Sequence, residues 1–402
     1  MRLILLSSLF LISFGAHATS LDEALSKTLS NNSSIRASMY KNLSGKREIV
    51  GTAISGILPR IDYSFVMTDT GHLSGTKKTS LITLTQPLFN GTAMLSLDKA
   101  RYVHKVQDID FAIARQKVLL DTIKAYMGVL SATEVDKLNE KNVILMREHL
   151  TAAEKRFAVG EITKTELAKA KAKYAQSKSD AVNARSKLKS VVTEYTRLVG
   201  ESPTDLEYPK RKLQIPTSLE EALEMAMLDN LTINMSKNMY QAAKCDVALS
   251  VAKKLPSLTA QATETFLGKD VGHASHHLKV QLQLPIFEHG AGFIGIDRAY
   301  KAKQQSFFSM HETYKTVEAL VTNAWEELIA SKFLLQSVNE AVKYTEVALA
   351  AITKESELDL KTALDVLNVE QELLKAKVNL INAQNNFIIN QYSLLALIGQ
   401  FM

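Results

Sequence analysis

The chain is written twice. Leu21-Asp22-Glu23-Ala24-Leu25 returns as Leu219-Glu220-Glu221-Ala222-Leu223, and Leu58-Pro59 returns as Leu255-Pro256. Gln86-Pro87-Leu88-Phe89 returns as Leu284-Pro285-Ile286-Phe287 at the same offset of about 198 residues. A repeat of this kind constrains the fold before any local propensity does, because two copies of one unit fold alike and must pack on each other. The reading divides the chain into residues 1–18, a first repeat over 19–210 and a second over 211–402. Each repeat reads as short helices, a β-hairpin and a long helical hairpin.

The first eighteen residues stand apart. Arg2, an apolar run from Leu3 to Phe14 and then Ala16-His17-Ala18 make a basic start, a short greasy core and an A-x-A exit. Those are the parts of a cleaved secretory signal, and the run is too short to span a bilayer as a helix. No later stretch reaches eighteen consecutive apolar residues, so any membrane crossing is expected to use strands. Net charge is a mild +6, and export argues against a nucleic-acid partner. The single cysteine, Cys245, has no partner for an intramolecular disulfide and reads as an apolar filler on a helix.

Glycine and proline are scarce, at 16 and 7 residues, which favours long helices. From Thr92 to Phe157 there is no proline, and Gly128 is the one glycine. Within that stretch Val106, Ile109, Ile113, Gln116, Leu120, Ile123, Met127 and Leu130 recur at spacings of three and four. That is a heptad seam with one polar interruption, and roughly 65 residues at 1.5 Å each make a rod of about 100 Å. A second rod runs from the turn at Val159-Gly160 to Gly200. Gly290 to Ser356 and the helix carrying Leu374, Val378, Ile381, Asn385, Ile388, Tyr392 and Leu395 repeat the arrangement.

Between the rods lie four segments of period two, in hairpins at about 59–88 and 256–286. Leu278, Val280, Leu282 and Leu284 alternate with Lys279, Gln281 and Gln283, and Ile61, Tyr63, Phe65 and Met67 alternate with Asp62, Ser64, Val66 and Thr68. Ser257–Phe266 and Ser80–Gln86 supply the partners, bracketed by prolines 59, 87, 256 and 285. Strands with one greasy and one wet face in an exported chain fit a membrane barrel. Four strands do not close one, since barrels start at about eight. Two copies supply eight strands and three supply twelve.

These landmarks resemble the TolC family of outer-membrane efflux and secretion ducts. The likeness rests on the doubled start, the Leu-Pro before each first strand and the Gln-Pro-Leu-Phe or Leu-Pro-Ile-Phe after each second strand. It also rests on Arg156-Phe157-Ala158-Val159-Gly160 and on Thr362-Ala363-Leu364-Asp365-Val366-Leu367-Asn368 with Gln371. It implies a mainly α protein with a small β part: a homotrimer with a twelve-strand barrel in the outer membrane of a Gram-negative bacterium and a twelve-helix periplasmic tunnel. Its implied partners are a periplasmic adaptor, an inner-membrane ABC or proton-driven transporter and outer-membrane lipid, with no cofactor and no enzymatic activity. A trimeric, surface-displayed coiled coil is the alternative reading.

The resemblance also places candidate residues. The helical tips, near 159–163 and 357–361, are the expected adaptor-docking points through Val159, Gly160, Leu358 and Asp359. Asp365 matches an acidic ring at the tunnel's periplasmic entrance, where three converging carboxylates repel and raise one another's pKa. Lys361 stands where an arginine usually latches the inner coiled coil, with Thr165 and Glu166 as its matched partners. The chain departs from the pattern at Leu358-Asp359, at Asn368 in place of a second acidic ring, and at Ser356 in place of a latch tyrosine. Lys279, Gln281 and Gln283 are the expected pore-lining residues. No catalytic constellation stands out. His273, His276 and His277 are expected in a strand–strand turn without acidic neighbours. Tyr126 and Trp325 are expected to pack between helices.

Overall fold

The computed structural model describes residues 19–69, 76–211, 213–267, 274–287, 290–358 and 360–401. The expected export signal at 1–18, His273 and Asp359 lie outside them. The order of elements repeats: α1 (Leu21–Asn31), α2 (Ser33–Ile57), β1 (Arg60–Asp69), β2 (Thr76–Asn90), α3 (Ala93–Ala158) and α4 (Lys164–Val199). Then come α5 (Leu219–Asp229), α6 (Leu231–Ala252), β3 (Ser257–Leu267), β4 (Ala274–Gln283), α7 (Ala291–Glu357) and α8 (Ala363–Leu397). Among the described residues no helix is long and apolar enough to cross a membrane.

Local chemistry sets the boundaries. Ser20 and Ser218 cap α1 and α5 by accepting from the backbone N–H three residues on. Asn32 and Asn230 end those helices and start α2 and α6. Gly200, at φ 91°, ends α4 in the left-handed region that a side chain disfavours.

All four strands form one antiparallel sheet in the order β1-β2-β3-β4. The central pairing joins the two repeats, with Leu84 opposite Ala262 and Thr83 opposite Thr263. This pairing carries β2 through Pro87 to Asn90, with a register shift between Pro87 and Phe89. Pro87 therefore lies inside the strand, where the sequence reading set it at the boundary; a bulge accommodates the missing N–H. His276 and His277 are likewise in β4 and not in a turn. His276 Nδ1 lies 3.6 Å from Oε1 of Glu264 across the ladder, so the expected lack of an acidic neighbour was wrong.

The helices continue this four-wide layer. Nearest the sheet, α2 packs on α3, α3 on α6 and α6 on α7; farther away, α4 packs on α3, α3 on α8 and α8 on α7. The long α3 and α7 thus run through both layers. The apolar core sits at the waist where the layers exchange. Leu119, Ile123, Tyr126 and Leu130 of α3 pack with Leu198 and Val199 of α4 and with α1. Val317, Val321 and Leu328 of α7 pack equivalently with Leu394 and Ile398 and with Ala222 and Ala226 of α5. Tyr126 is fully buried, and its one hydroxyl proton is within hydrogen-bond reach of the carbonyls of Thr19 (2.9 Å) and Glu207 (2.7 Å), pinning the inter-repeat connection to the waist. Trp325 packs against the second cluster. Gln116, the polar break in the seam, donates to the Ala396 carbonyl at 2.6 Å and so ties α3 to α8.

Candidate functional site: the helical tips and the strand face

The two helical hairpins share one closing backbone bond across their turns. After α3, the Gly160 N–H donates to the Phe157 carbonyl at 3.0 Å and the Glu161 N–H to the Arg156 carbonyl at 2.9 Å. With Gly160 at φ 80°, this is a Schellman closure. After α7, the Leu360 N–H donates to the Glu355 carbonyl at 2.9 Å, the matching long-range bond. Val159 and Leu358 project from the two tips, each 71% exposed, with Leu360 at 69%.

The helices that leave the tips begin with paired capping boxes. Thr163 accepts from the Glu166 N–H at 3.2 Å, and the Glu166 carboxylate accepts from the Thr163 N–H at 2.8 Å. Thr362 accepts from the Asp365 N–H at 3.2 Å, and the Asp365 carboxylate accepts from the Thr362 N–H (3.0 Å) and hydroxyl (2.8 Å). A Thr followed three residues later by Glu or Asp is the sequence signature of this reciprocal cap. It was legible at both places and escaped the sequence reading, which considered these carboxylates as gate residues.

The caps act on the charge of those groups. The Thr362 N–H and hydroxyl hold the Asp365 carboxyl below its ordinary 3.8, with a smaller contribution from the Lys361 ammonium. Within one chain the cap is the nearest influence; the expected rise belongs to three converging copies. Glu166 is held low by Thr163 in the same way, helped by Arg156 and Lys169.

Both tips line one cleft of about 490 Å³, which brings Arg156, Glu166, Ser356, Lys361 and Asp365 together. Arg156 is spent on Glu161, Nε to Oε2 at 3.0 Å. Among the described residues no ion pair joins Lys361 to Glu166 within the chain. Thr165 is exposed on the first turn of α4 and Asn368 is exposed on α8. Deeper in the same cleft, His149 Nε2 lies 2.9 Å from Glu370 Oε2, a contact between α3 and α8 that the sequence reading missed. Nearby, Lys173 of α4 donates to Gln371 Oε1 at 2.9 Å. Partners some 200 residues apart leave no local pattern to read.

At the other end, the ladder register sorts the strand residues by face. Lys279, Gln281 and Gln283 stand opposite Gln261, Thr259 and Ser257. The other face carries Leu278, Val280 and Leu282, which are 81, 61 and 68% exposed, and Ile61, Tyr63 and Phe65. Among the described residues, β1 and β4 each pair along one side only. Such open edges attract further strands. No group of three or more His, Cys, Asp or Glu among the described residues could hold a metal ion.

Comparison with known proteins agrees with this geometry. Outer membrane efflux protein BepC of Brucella suis is 26% identical over 407 residues, covering 99% of this chain and 89% of that protein. Outer membrane protein TolC of Escherichia coli is 22% identical, covering 88% and 76% respectively. Alkaline protease secretion protein AprF of Pseudomonas aeruginosa is 22% identical, covering 94% and 84%. Among solved structures, CusC superposes with a TM-score of 0.83 at 15% identity, covering 95% of this chain and 92% of that one. The pattern of the outer membrane efflux protein family matches twice, over residues 24–201 and again over 222–400, and the chain belongs to that family.

Proposed function

We propose that this protein is the outer-membrane exit duct of a tripartite efflux or type I secretion system, a passive conduit with no chemistry of its own. The observation that carries the reading is the four-wide layer. One sheet with an apolar and a polar face, open at both edges, continues into four helices abreast. Three copies joined edge to edge make a twelve-strand barrel, with Lys279, Gln281 and Gln283 facing the lumen and the leucine face toward outer-membrane lipid. The same closure makes a twelve-helix periplasmic tunnel. A surface-displayed coiled coil has no use for two hairpins placed mid-chain and paired into one sheet.

The cut at 19–210 and 211–402 follows from the repeat, with 1–18 as the export signal. At the tunnel's far end, the exposed Val159, Gly160 and Leu358, with Asp359 beside them in sequence, are taken as adaptor-docking tips, and Asp365, Lys361, Glu166 and Thr165 as the gate. Glu166 is already engaged by Thr163, so a latch to Lys361 is assigned across neighbouring copies. An adaptor and an ABC or proton-driven inner-membrane pump supply energy and opening. Cross-linking in intact cells, followed by purification and mass spectrometry, tests the reading. Recovery with an adaptor and pump supports it, and homotrimers without any inner-membrane partner overturn it.

A further inference from the structure

His149 and Glu370 form a contact that neither the latch nor the acidic ring uses. His149 belongs to the first helical hairpin and Glu370 to the second, so the contact ties the two hairpins of one chain together. Nε2 and Oε2 are 2.9 Å apart and the side chains are 26% and 13% exposed. Both atoms are shielded from solvent and neither makes an aligned hydrogen bond, so what joins them is a close approach of opposite charges when the ring is protonated. Glu370 follows Asp365 by five residues, about 7.5 Å along α8, so the contact stands just behind the entrance.

We propose that His149 and Glu370 form a proton-dependent clamp: the imidazolium holds α8 against α3 and keeps the entrance closed, and loss of the proton lets α8 move away. The proposal rests on the tips being the gate. The chemistry follows from what each form of the ring can donate. An imidazolium puts an N–H on Nε2 whatever the tautomer and makes a charge-assisted bond to the carboxylate. A neutral ring protonated on Nδ1 presents a lone pair to the carboxylate instead, in a site where water is largely excluded.

The charged groups around the contact come from α3, the first turn, α4 and the start of α8. Glu148 and Arg156 lie on α3, Glu161 in the turn, Glu166 and Lys173 on α4, Lys361 before α8 and Asp365 on α8. Among the described residues the α7 end contributes Ser356 and no titratable side chain to the cleft. The bond to Glu370 raises the His149 pKa from its ordinary 6.5, burial opposes this, and the charges of Glu370 and Glu148 add to the rise. Closure therefore binds the proton more tightly than an open state with the helices apart. The closed state gains fully below pH 6.5 and loses that gain as pH rises through the raised value.

The test is the open probability of the purified protein in planar bilayers from about pH 5.5 to 8.5, the range of histidine titration. Wild-type pores are expected to open about three- to tenfold more at the alkaline end, since each tenfold in proton affinity transfers to the gate. His149→Gln and Glu370→Gln should lose the pH step and stay at the alkaline level. His149→Lys, a permanent cation, should hold the pore at the acid level throughout. A pH step that survives both neutral variants, or is absent from the wild type, overturns the clamp and leaves the duct intact. Failure to form pores at any pH overturns the duct reading itself.

Discussion

Asn32 and Asn230 stand 198 residues apart and make the same three hydrogen bonds. Asn32 Oδ1 accepts from the N–H groups of Ser34 and Ile35, and its Nδ2 donates to the Leu198 carbonyl at 3.1 Å. Asn230 Oδ1 accepts from Thr232 and Ile233, and its Nδ2 donates to the Leu397 carbonyl at 2.7 Å. One side chain thus caps a helix and also satisfies the end of another helix at the waist. An amide supplies the acceptor and the donor from two different atoms, so both ends are served at once.

This double role separates two variants. Asn230→Ala loses the cap and leaves the Leu397 carbonyl without its partner, at a cost of about 2 kcal/mol. Asn230→Asp keeps the cap and loses only the donor. Hydrogen exchange at Thr232 and Ile233 should accelerate in the alanine variant and stay near wild type in the aspartate one.

The glycines that follow α4 and α8 are not equivalent. Gly200 and Gly399 have φ of 91° and 79°, so alanine at either is strained by about 1–2 kcal/mol. At Gly399 a Cβ would also meet the Asp229 carbonyl oxygen at 2.6 Å, whereas at Gly200 the nearest atom is Asn31 Cβ at 3.6 Å. Gly399→Ala should therefore lower the unfolding midpoint more than Gly200→Ala, and equal shifts would contradict this packing.

Asp365 combines a cap with the proposed entrance ring. Its folded pKa lies below 3.8, so the cap is intact above that value and frays as pH falls through the lower one. Block of bilayer pores by multivalent cations should persist to about pH 4.5 in the wild type and vanish in Asp365→Asn. Block that fades between neutrality and about pH 5.5 would instead mean that repulsion within the ring outweighs the cap.

Among the described residues Lys361 has no ion-pair partner, and the proposed latch assigns its ammonium to a neighbouring copy. Lys361→Ala should raise leak conductance. Lys361→Arg should lower it, because a guanidinium can grip a carboxylate with two bonds. Conductance unchanged in both variants removes the latch.

The strand faces make opposite predictions for adjacent residues. Val280→Lys places a charge on the lipid-directed face at a cost of about 2–4 kcal/mol near the bilayer centre, and should impair assembly into heat-resistant oligomers. Gln281→Lys lies on the face proposed to line the lumen and should assemble normally while shifting the pores toward anions, as read from reversal potentials.

Much of this protein is legible without its tertiary structure, because much of it is held by neighbours in sequence. The seam from Val106 to Leu130, the Val159-Gly160 turn and the alternation from Leu278 to Gln283 each arise from contacts within one element. The capping boxes at Thr163 and Thr362 are equally local and were available to a closer reading. Doubling then points to the architecture, since the four strands of two like units are too few to close a barrel by themselves.

What only the tertiary structure decided joins residues far apart along the chain. The pairing of β2 with β3 carries β2 past Pro87 and draws His276 to Glu264. The packing of α3 on α8 sets His149 on Glu370 and Gln116 on the Ala396 carbonyl. Periodicity tells which face of an element is buried, but not which distant element covers it. That choice is made by the summed packing of the waist and sheet, and with it the placement of charges at the entrance.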